Sequence, residues 1–234
     1  MELTKFTAML ESGQVQDGAI LTGDGPADSF ISNGIRLFTG QERTHAMQLF
    51  APRRGDGLTP ADDWTLAESN LEVDGLRIVA NGPMIVALPG RLTGDNSRAV
   101  YLHNWRTPPT AEQVMAMGCW WLRARDAGTV YGIGQIALLA GWLTHYRVAQ
   151  EFYTHGLGRW LPWARWRLDW IRTHPPIPLF REIVCSPAVA LAAVAGGMVD
   201  IGNDGTANDP VLAWGVTPGD IPLWPELGPE VQVA

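Results

Sequence analysis

The sequence predicts an α+β fold, with most strands early in the chain and most helices later. Three observations support this. Short segments with strand periodicity fill the chain up to His103, helix signals dominate from Thr110 onward, and the regular strand–helix alternation of a doubly wound parallel sheet is missing. With 234 residues, of which 46% are apolar, the chain can bury a substantial core. No internal repeat or linker is visible, so we expect a single domain over 1–234.

The strand candidates surround one strong hairpin signal. His45, Met47 and Leu49 alternate with their neighbours, which is typical of a strand. Asp74-Gly75 is the strongest short turn dipeptide in the chain. The predicted strands are Gly18–Thr22, His45–Phe50, Trp64–Asn70, Leu76–Ala80, Met84–Leu88 and Ala99–His103, and the Pro-, Gly- and Asp-rich segment Pro52–Asp63 is a predicted loop. We expect a sheet of about five or six strands.

The helix candidates carry recognisable start and stop signals. Thr110 followed by Gln113 forms a capping box, and Gly128 is a stop signal after about Arg125. The other predicted helices are Lys5–Leu10, a segment from Asp28 or Ser29 to Phe38 closed by Gly40, Gly134–His145, Arg159–Thr173 and Ser186–Ala195, the last preceded by a strand-like Arg181–Val184. Gly196 and Gly197 end the final helix.

Charge and composition exclude several classes of protein. There are 17 basic and 24 acidic residues, a net charge of −7, which argues against nucleic acid as the main partner. The N-terminus lacks the pattern of a secretory signal, and Ile183–Val199 is broken by Ser186, Pro187 and paired glycines, which makes it a poor membrane span. We expect a soluble protein. The histidine spacings fit no metal site and ILTGDG fits no nucleotide loop, so we expect neither metal nor cofactor.

The two cysteines differ in their surroundings. Cys119 and Cys185 are too few for a disulfide framework, so both are predicted to be reduced thiols. Cys185 precedes a predicted helix, with Pro187 suited to the first turn. Helix N-termini favour a thiolate and can stabilise an oxyanion. Cys185 is therefore the candidate nucleophile, while the plainer alternative is two thiols that act as small core residues.

A cysteine nucleophile needs a base and a group that orients the base. His45 lies on a predicted strand, where a rigid scaffold would hold its ring, and Glu68 lies on the next strand candidate. Antiparallel neighbours would bring the carboxylate within hydrogen-bond reach of the imidazole. The alternative is a partly buried His–Glu pair that only satisfies itself.

These residues carry a resemblance to a known family. The run GAILTGDGPADSFISNGIRLFTGQERTHAMQLF resembles the opening of circularly permuted papain-like cysteine hydrolases of the YiiX type, which are relatives of the NlpC-like cell-wall peptidases. The segments TLAESNLEVDGLRI, PPTAEQVMAMGCWWLRARDAGTVYGIGQI, IVCSPAVALAAVAGGM and GVTPGDI continue it in the family's order. The resemblance covers most of the chain. It implies a permuted papain-like fold, with an antiparallel sheet or half-barrel packed against helices and the nucleophile at a helix N-terminus.

The resemblance also implies a role for each site residue. Cys185 is the nucleophile, His45 the general base and acid, and Glu68 the orienting group. The order His, Glu, Cys along the chain is the one that a circular permutation requires. Tyr131 matches the family's aromatic residue before the middle helix and would line the substrate cleft, its alternative being a core tyrosine.

Two positions depart from the family pattern. Pro187 stands where the family has Glu after Cys-Ser, and Asp17-Gly18 inverts the usual Gly-Asp. The first affects the neighbourhood of the nucleophile and the second a turn, so neither removes a catalytic group.

Three functions follow as hypotheses. The first is an amidase or endopeptidase that cleaves an amide bond in peptidoglycan peptides through a thioester. The second is an acyl or thioester hydrolase, or an acyltransferase, that uses the same chemistry on a lipid-linked substrate. The third is a non-catalytic component of a larger bacterial or viral assembly that retains the fold.

One segment, 146–178, lies outside the family core as a predicted helical insert. Within it, residues 159–172 combine four tryptophans, Trp160, Trp163, Trp166 and Trp170, with four arginines, Arg159, Arg165, Arg167 and Arg172. The favoured interpretation is packing, with the indoles buried and the arginine stems alongside them. The alternative is a docking surface for sugar rings, an anionic polymer or a membrane interface.

Overall fold

The computed structural model describes residues 3–24, 30–52, 63–74, 77–88, 99–132, 182–200 and 215–233, together with single positions between 134 and 170 and Ala213. The helices are α1 (Leu3–Glu11), α2 (Phe30–Thr39), α3 (Ala111–Asp126) and α4 (Cys185–Ala195), and Ile221–Leu223 forms a short 3-10 helix. The strands are β1 (Ile20–Asp24), β2 (His45–Phe50), β3 (Thr65–Asp74), β4 (Arg77–Ala87), β5 (Ala99–His103), β6 (Val130–Tyr131), β7 (Glu182–Ile183) and β8 (Val231–Gln232).

The predicted α+β class is confirmed. Six strands form one sheet in the order β4-β3-β2-β1-β5-β8, and every neighbouring pair in it is antiparallel. β6 and β7 form a separate parallel pair, in which Tyr131 is opposite Ile183. Strands β6 and β8 were not predicted, because two-residue strands are too short to show periodicity.

The hairpin of β3 and β4 is where prediction and structure differ most. The register closes at Asp74↔Arg77, on either side of the predicted turn. However, the two strands predicted at Leu76–Ala80 and Met84–Leu88 are a single continuous strand. Gly82, at φ 110°, continues the ladder opposite Asn70, and a Cβ at this position would overlap the Thr129 carbonyl. Glycine here permits close approach of another segment rather than ending the strand.

Helix α3 forms where its caps predict. The Gln113 backbone N–H donates to Thr110 Oγ1 at 3.3 Å, and the Thr110 N–H donates to Gln113 Oε1 at 2.9 Å, which completes the capping box. Two orphan N–H groups of the first turn are thereby satisfied. Gly128 follows the helix with φ 68°, as its stop signal predicts.

The sheet separates two apolar layers. One contains Ala46 and Ala67 of the sheet with residues of α3 and α4, and the other contains Met47 and Leu66 with residues of α1. Helix α4 is largely buried and rich in alanine, so its backbone can lie close to the sheet and to α3. The same closeness is seen just past its end, where a Cβ on Gly196 would overlap Met117 of α3.

A buried polar network joins α3 to the sheet. The amide nitrogen of Gln48 donates to the Gly18 carbonyl at 3.2 Å, and its oxygen accepts from the indole N–H of Trp121 at 2.9 Å. The indole N–H of Trp105 also donates to the Gly18 carbonyl, at 2.9 Å. A buried polar group without such partners costs free energy, so the network fixes the position of α3 on β2.

The helices predicted after Tyr131 lie largely outside the described residues. Every described position between 134 and 152 is helical, which agrees with the helix predicted at Gly134–His145 but also extends past its predicted end. Trp166 and Trp170 are helical as well, while most of 146–178 is not described. The predicted cap of α2 at Asp28 or Ser29 also falls outside the described part. Among the described helices, none combines the length and the apolar character that a membrane crossing requires.

Candidate active site

Cys185 lies at the N-terminus of α4, as predicted, but it is the first residue of the helix, which begins one residue before the predicted Ser186. Val184 is the N-cap, with extended backbone at φ −96° and ψ 170°, and its carbonyl accepts the first helical hydrogen bond, from Ala188 at 3.1 Å. N–H groups in the first turn of a helix have no acceptor within the helix and create a positive potential there. The sulfur of Cys185 therefore lies at a position that favours negative charge.

Two buried serine hydroxyls hold the chain on either side of the cysteine. Ser69 donates to the Ile183 carbonyl at 2.8 Å, and Ser186 donates to the Val216 carbonyl at 2.9 Å. Cys185 is itself only 1% exposed, and its Sγ lies 4.0 Å from the Thr44 carbonyl oxygen. These contacts fix the nucleophile candidate against the start of β2.

His45 and Glu68 form a short hydrogen bond. His45 is the first residue of β2, and Met47 of the same strand is opposite Glu68 of β3. The diagonal arrangement brings His45 Nε2 to 2.6 Å from Glu68 Oε2. The Glu68 side chain is fully buried, whereas that of His45 remains 16% exposed. Because Glu68 occupies Nε2, the Nδ1 atom of the imidazole is the one available to the thiol.

The pKa of His45 depends on both of the other predicted site residues. Burial opposes the charged form of His45, but the charge and hydrogen bonding of Cys185, and then those of Glu68, outweigh it and raise the histidine pKa from 6.5 to about 10. The structure thus favours the charged imidazolium form of His45, next to the Cys185 sulfur and a buried carboxylate. The three residues predicted to form the site are close together, although 140 residues separate His45 from Cys185.

Tyr131 lies beside this group. Its backbone pairs with Ile183, two residues before the cysteine, and its ring packs against Val184. Its N–H donates to Asn81 Oδ1 at 2.8 Å, which fixes the short strand β6 on β4. Burial, followed by the charges of Cys185 and Glu68, raises the pKa of the Tyr131 phenol well above 10. The hydroxyl therefore keeps its proton and can donate it in a hydrogen bond.

Cys119 is remote from this group. It lies exposed on α3, and neither cysteine is in a disulfide. It lines an open cavity of about 250 Å³ at the Phe50 end of β2, whereas His45 begins that strand. The other residues around this cavity are Asp17, Ala51, Thr65, Ile85, Val114, Met115, Gly118 and Leu122. The two thiols thus belong to different ends of the sheet.

The other described histidines stand apart from the group. His103 is buried and lies 2.8 Å from the Thr22 hydroxyl, and burial, followed by the charge of Arg43, lowers its pKa to about 4. His145 is exposed on a helix. Within the described ranges, no three His, Cys, Asp or Glu side chains are grouped so that they could hold a metal ion.

The sequence analysis missed the residues that position the site. Ser69 follows Glu68 and Ser186 follows Cys185, so both are adjacent to predicted site residues, but a lone serine carries no signal of its own. A second support comes from Thr217, whose hydroxyl donates to Asp220 Oδ2 at 2.6 Å and contacts Gln41 Oε1 at 3.0 Å. These residues tie the loop that accepts the Ser186 hydrogen bond to the segment before β2.

Comparison of the chain with protein-family models and with curated proteins gives no match. The family resemblance therefore depends on the motifs and on the grouping of Cys185, His45 and Glu68.

Proposed function

We propose that the protein is a cysteine hydrolase that cleaves an amide bond through a thioester, with Cys185, His45 and Glu68 as its catalytic group. The observation that carries the proposal is the imidazole of His45, which lies 2.6 Å from a buried carboxylate and is close enough to the thiol at a helix N-terminus for Cys185 to raise its pKa. A His–Glu pair that only satisfies its own hydrogen bonds does not require a thiol in this position. The permuted papain-like arrangement is part of the proposal and agrees with the chain order of the three residues.

The reaction begins with attack by the thiolate. The Cys185 sulfur adds to the acyl carbon of the substrate, and the carbonyl oxygen becomes an oxyanion. The Cys185 backbone N–H, at the open end of α4, and the Tyr131 hydroxyl are the two donors that we assign to this oxyanion. Tyr131 is suited to the role because its phenol is buried, protonated and next to the nucleophile.

Collapse of the oxyanion breaks the carbon–nitrogen bond. His45 gives its proton to the departing amine, and the acyl group remains on Cys185 as a thioester. The neutral imidazole then takes a proton from water, the hydroxide adds to the thioester, and the acid leaves as the thiol is restored. Glu68 keeps its charge throughout and holds Nε2, so the other ring nitrogen faces the reacting atoms.

The substrate class is proposed from the family resemblance. Peptides of peptidoglycan supply amide bonds of the required kind, and muropeptides digested with the full chain should show a new cleavage by mass spectrometry. Cys185→Ala should abolish this cleavage with an unchanged circular dichroism spectrum, whereas Cys119→Ala should retain it. Equal cleavage by wild type and Cys185→Ala would contradict the proposal.

The choice between an amide and an acyl substrate needs a separate assay. The wild type could hydrolyse a thioester or lipid ester and leave muropeptides intact, while Cys185→Ala hydrolyses neither. That result would keep Cys185 as the nucleophile but change the substrate class from amide to ester or thioester. Absence of turnover on all of these substrates would favour the non-catalytic assembly component.

A further inference from the structure

Large apolar side chains are exposed in the segment after Tyr131. Trp166 is 64% exposed and Trp170 41%, while Val148 and Phe152 are 65% and 49% exposed. Single exposed apolar residues are normal on a protein surface. Two exposed tryptophans four residues apart, both at helical positions, differ from that background, because tryptophan is usually highly buried. The packing predicted for the indoles therefore does not hold at these two positions.

The exposed residues come in helical pairs. Val148 and Phe152 are four residues apart, as are Trp166 and Trp170, and all four positions are helical. Side chains four apart lie on the same face of a helix. The two members of each pair are thus spaced to share a helix face.

The charge of this segment is opposite to that of the rest of the chain. Residues 146–178 contain five arginines and two acidic residues, whereas the remainder has 12 basic and 22 acidic residues. Arg165 and Arg167 flank Trp166 in the sequence. Their side chains lie outside the described residues, so their contribution is taken from the sequence alone.

We propose that this segment docks on an anionic phospholipid surface. Tryptophan side chains favour the interface between water and acyl chains, and arginines attract anionic headgroups. A bilayer accepts exposed apolar side chains without a matching pocket. The acidic remainder of the chain is repelled by the same charge, so the attraction orients the segment toward the lipid. This inference is independent of the hydrolase proposed above.

The test is co-sedimentation of the full chain with lipid vesicles. Vesicles of phosphatidylcholine alone are compared with vesicles of phosphatidylcholine and phosphatidylglycerol in equal parts. The variants are Trp166→Ala with Trp170→Ala, and Arg165→Ala with Arg167→Ala. Their matched controls are Leu223→Ala, an apolar residue 75% exposed elsewhere, and Arg123→Ala with Arg125→Ala, two exposed arginines of α3 at the same spacing.

We expect the wild type to bind the anionic vesicles and to bind neutral ones much less. Each test pair should weaken binding about tenfold or more, because each basic residue near an anionic surface contributes on the order of 1 kcal/mol and each indole adds buried apolar area. The controls should bind like the wild type. If circular dichroism shows that the double tryptophan variant does not fold, Trp166→Ala alone, at the more exposed position, takes its place.

Several results would overturn the inference. The first is that the wild type does not bind anionic vesicles, and the second is that it binds both vesicle types equally. The third is that the control variants lose as much vesicle binding as the test variants. Binding to an anionic polymer or a protein with none to vesicles would assign the surface to another class of partner.

Discussion

His45 is hydrogen-bonded to a buried carboxylate and lies near the Cys185 sulfur, and this position explains its titration. The residue is largely buried, which alone would favour the neutral imidazole. The negative charges of Cys185 and Glu68 reverse that preference and raise its pKa to about 10. At neutral pH the imidazole is therefore prepared to deliver a proton, as the proposed attack requires.

Removal of the Tyr131 hydroxyl tests its assignment as a donor to the oxyanion. Tyr131→Phe should lower turnover by roughly a hundredfold, since one oxyanion donor contributes about that much. Alkylation of Cys185 by iodoacetamide passes through no oxyanion, so its rate should stay the same. Tyr101→Phe, which removes a phenol from β5, is the matched control.

The two rates separate the possible outcomes for Tyr131. Full turnover in Tyr131→Phe would leave the tyrosine as a core residue, while the roles of Cys185 and His45 would stand. A parallel fall in turnover and alkylation would mean that the substitution disturbs the nucleophile itself.

At the scale of elements, β3 serves both halves of the site. Glu68 of this strand holds His45, and the next residue, Ser69, donates to the Ile183 carbonyl, two residues before Cys185. A single strand thus positions His45 and the segment that leads to α4. Such coupling explains why two polar side chains are tolerated in a strand that is buried from Leu66 to Ser69.

The Gln48 network gives a stability prediction for the contact of α3 with β2. Gln48→Met keeps the volume but leaves the buried Trp121 N–H without its acceptor, so unfolding free energy should fall by about 1–3 kcal/mol in urea denaturation. Gln14→Met, at an exposed position, should change it by less than about 0.5 kcal/mol.

A double-mutant cycle shows whether the loss of stability in Gln48→Met comes from its hydrogen bond with Trp121. In the Gln48→Met background, Trp121→Phe should cost less than it does in the wild type, because the unpaired donor is already present. Additive costs would show that the hydrogen bond contributes nothing to the contact.

At the scale of the molecule, two buried histidines should limit stability on opposite sides of pH 6.5. His45 has a raised pKa, so its contribution is present below pH 6.5 and is lost as the pH rises toward 10. His103 has a lowered pKa, so protonation in the unfolded chain reduces stability as the pH falls from 6.5 toward 4. The loss on each side is on the order of a few kcal/mol.

Urea denaturation across this range checks both effects. His45→Gln should flatten the loss of stability on the alkaline side, and His103→Gln should flatten it on the acid side. His145→Gln, at an exposed position, should leave the profile unchanged. A wild-type profile that is level from pH 4 to pH 10 would contradict the burial and pairing of both histidines.

Local signals explain which parts of the molecule could be predicted from sequence. The capping box of α3, the alternation in β2 and the Pro187 start of α4 act within a few residues, and each predicted its element. The continuity of β4 through Gly82 was not predicted, because the segment that Gly82 approaches, at Thr129, is distant in sequence. The two-residue strands β6 and β8 form by pairing with segments remote in sequence, so no local pattern indicates them.

The site was predictable for the same reason, but only in part. Cys185, His45 and Glu68 are chemically distinctive residues on well-marked elements, and the structure brings them together. Ser69, Ser186 and the Thr217 loop act through hydrogen bonds to backbone carbonyls. Carbonyl positions depend on the whole fold, so these supports appear only in three dimensions.

The most direct test of the account is the rate of iodoacetamide labelling at Cys185 and Cys119 in the same molecule, followed against pH by peptide mass spectrometry. Accessibility alone favours Cys119, which is exposed, over Cys185, which is buried. We predict that Cys185 nevertheless reacts faster at neutral pH, and that His45→Ala or Glu68→Gln removes this advantage without changing Cys119. Faster labelling of Cys119 throughout, with no effect of either substitution on Cys185, would contradict an activated thiol.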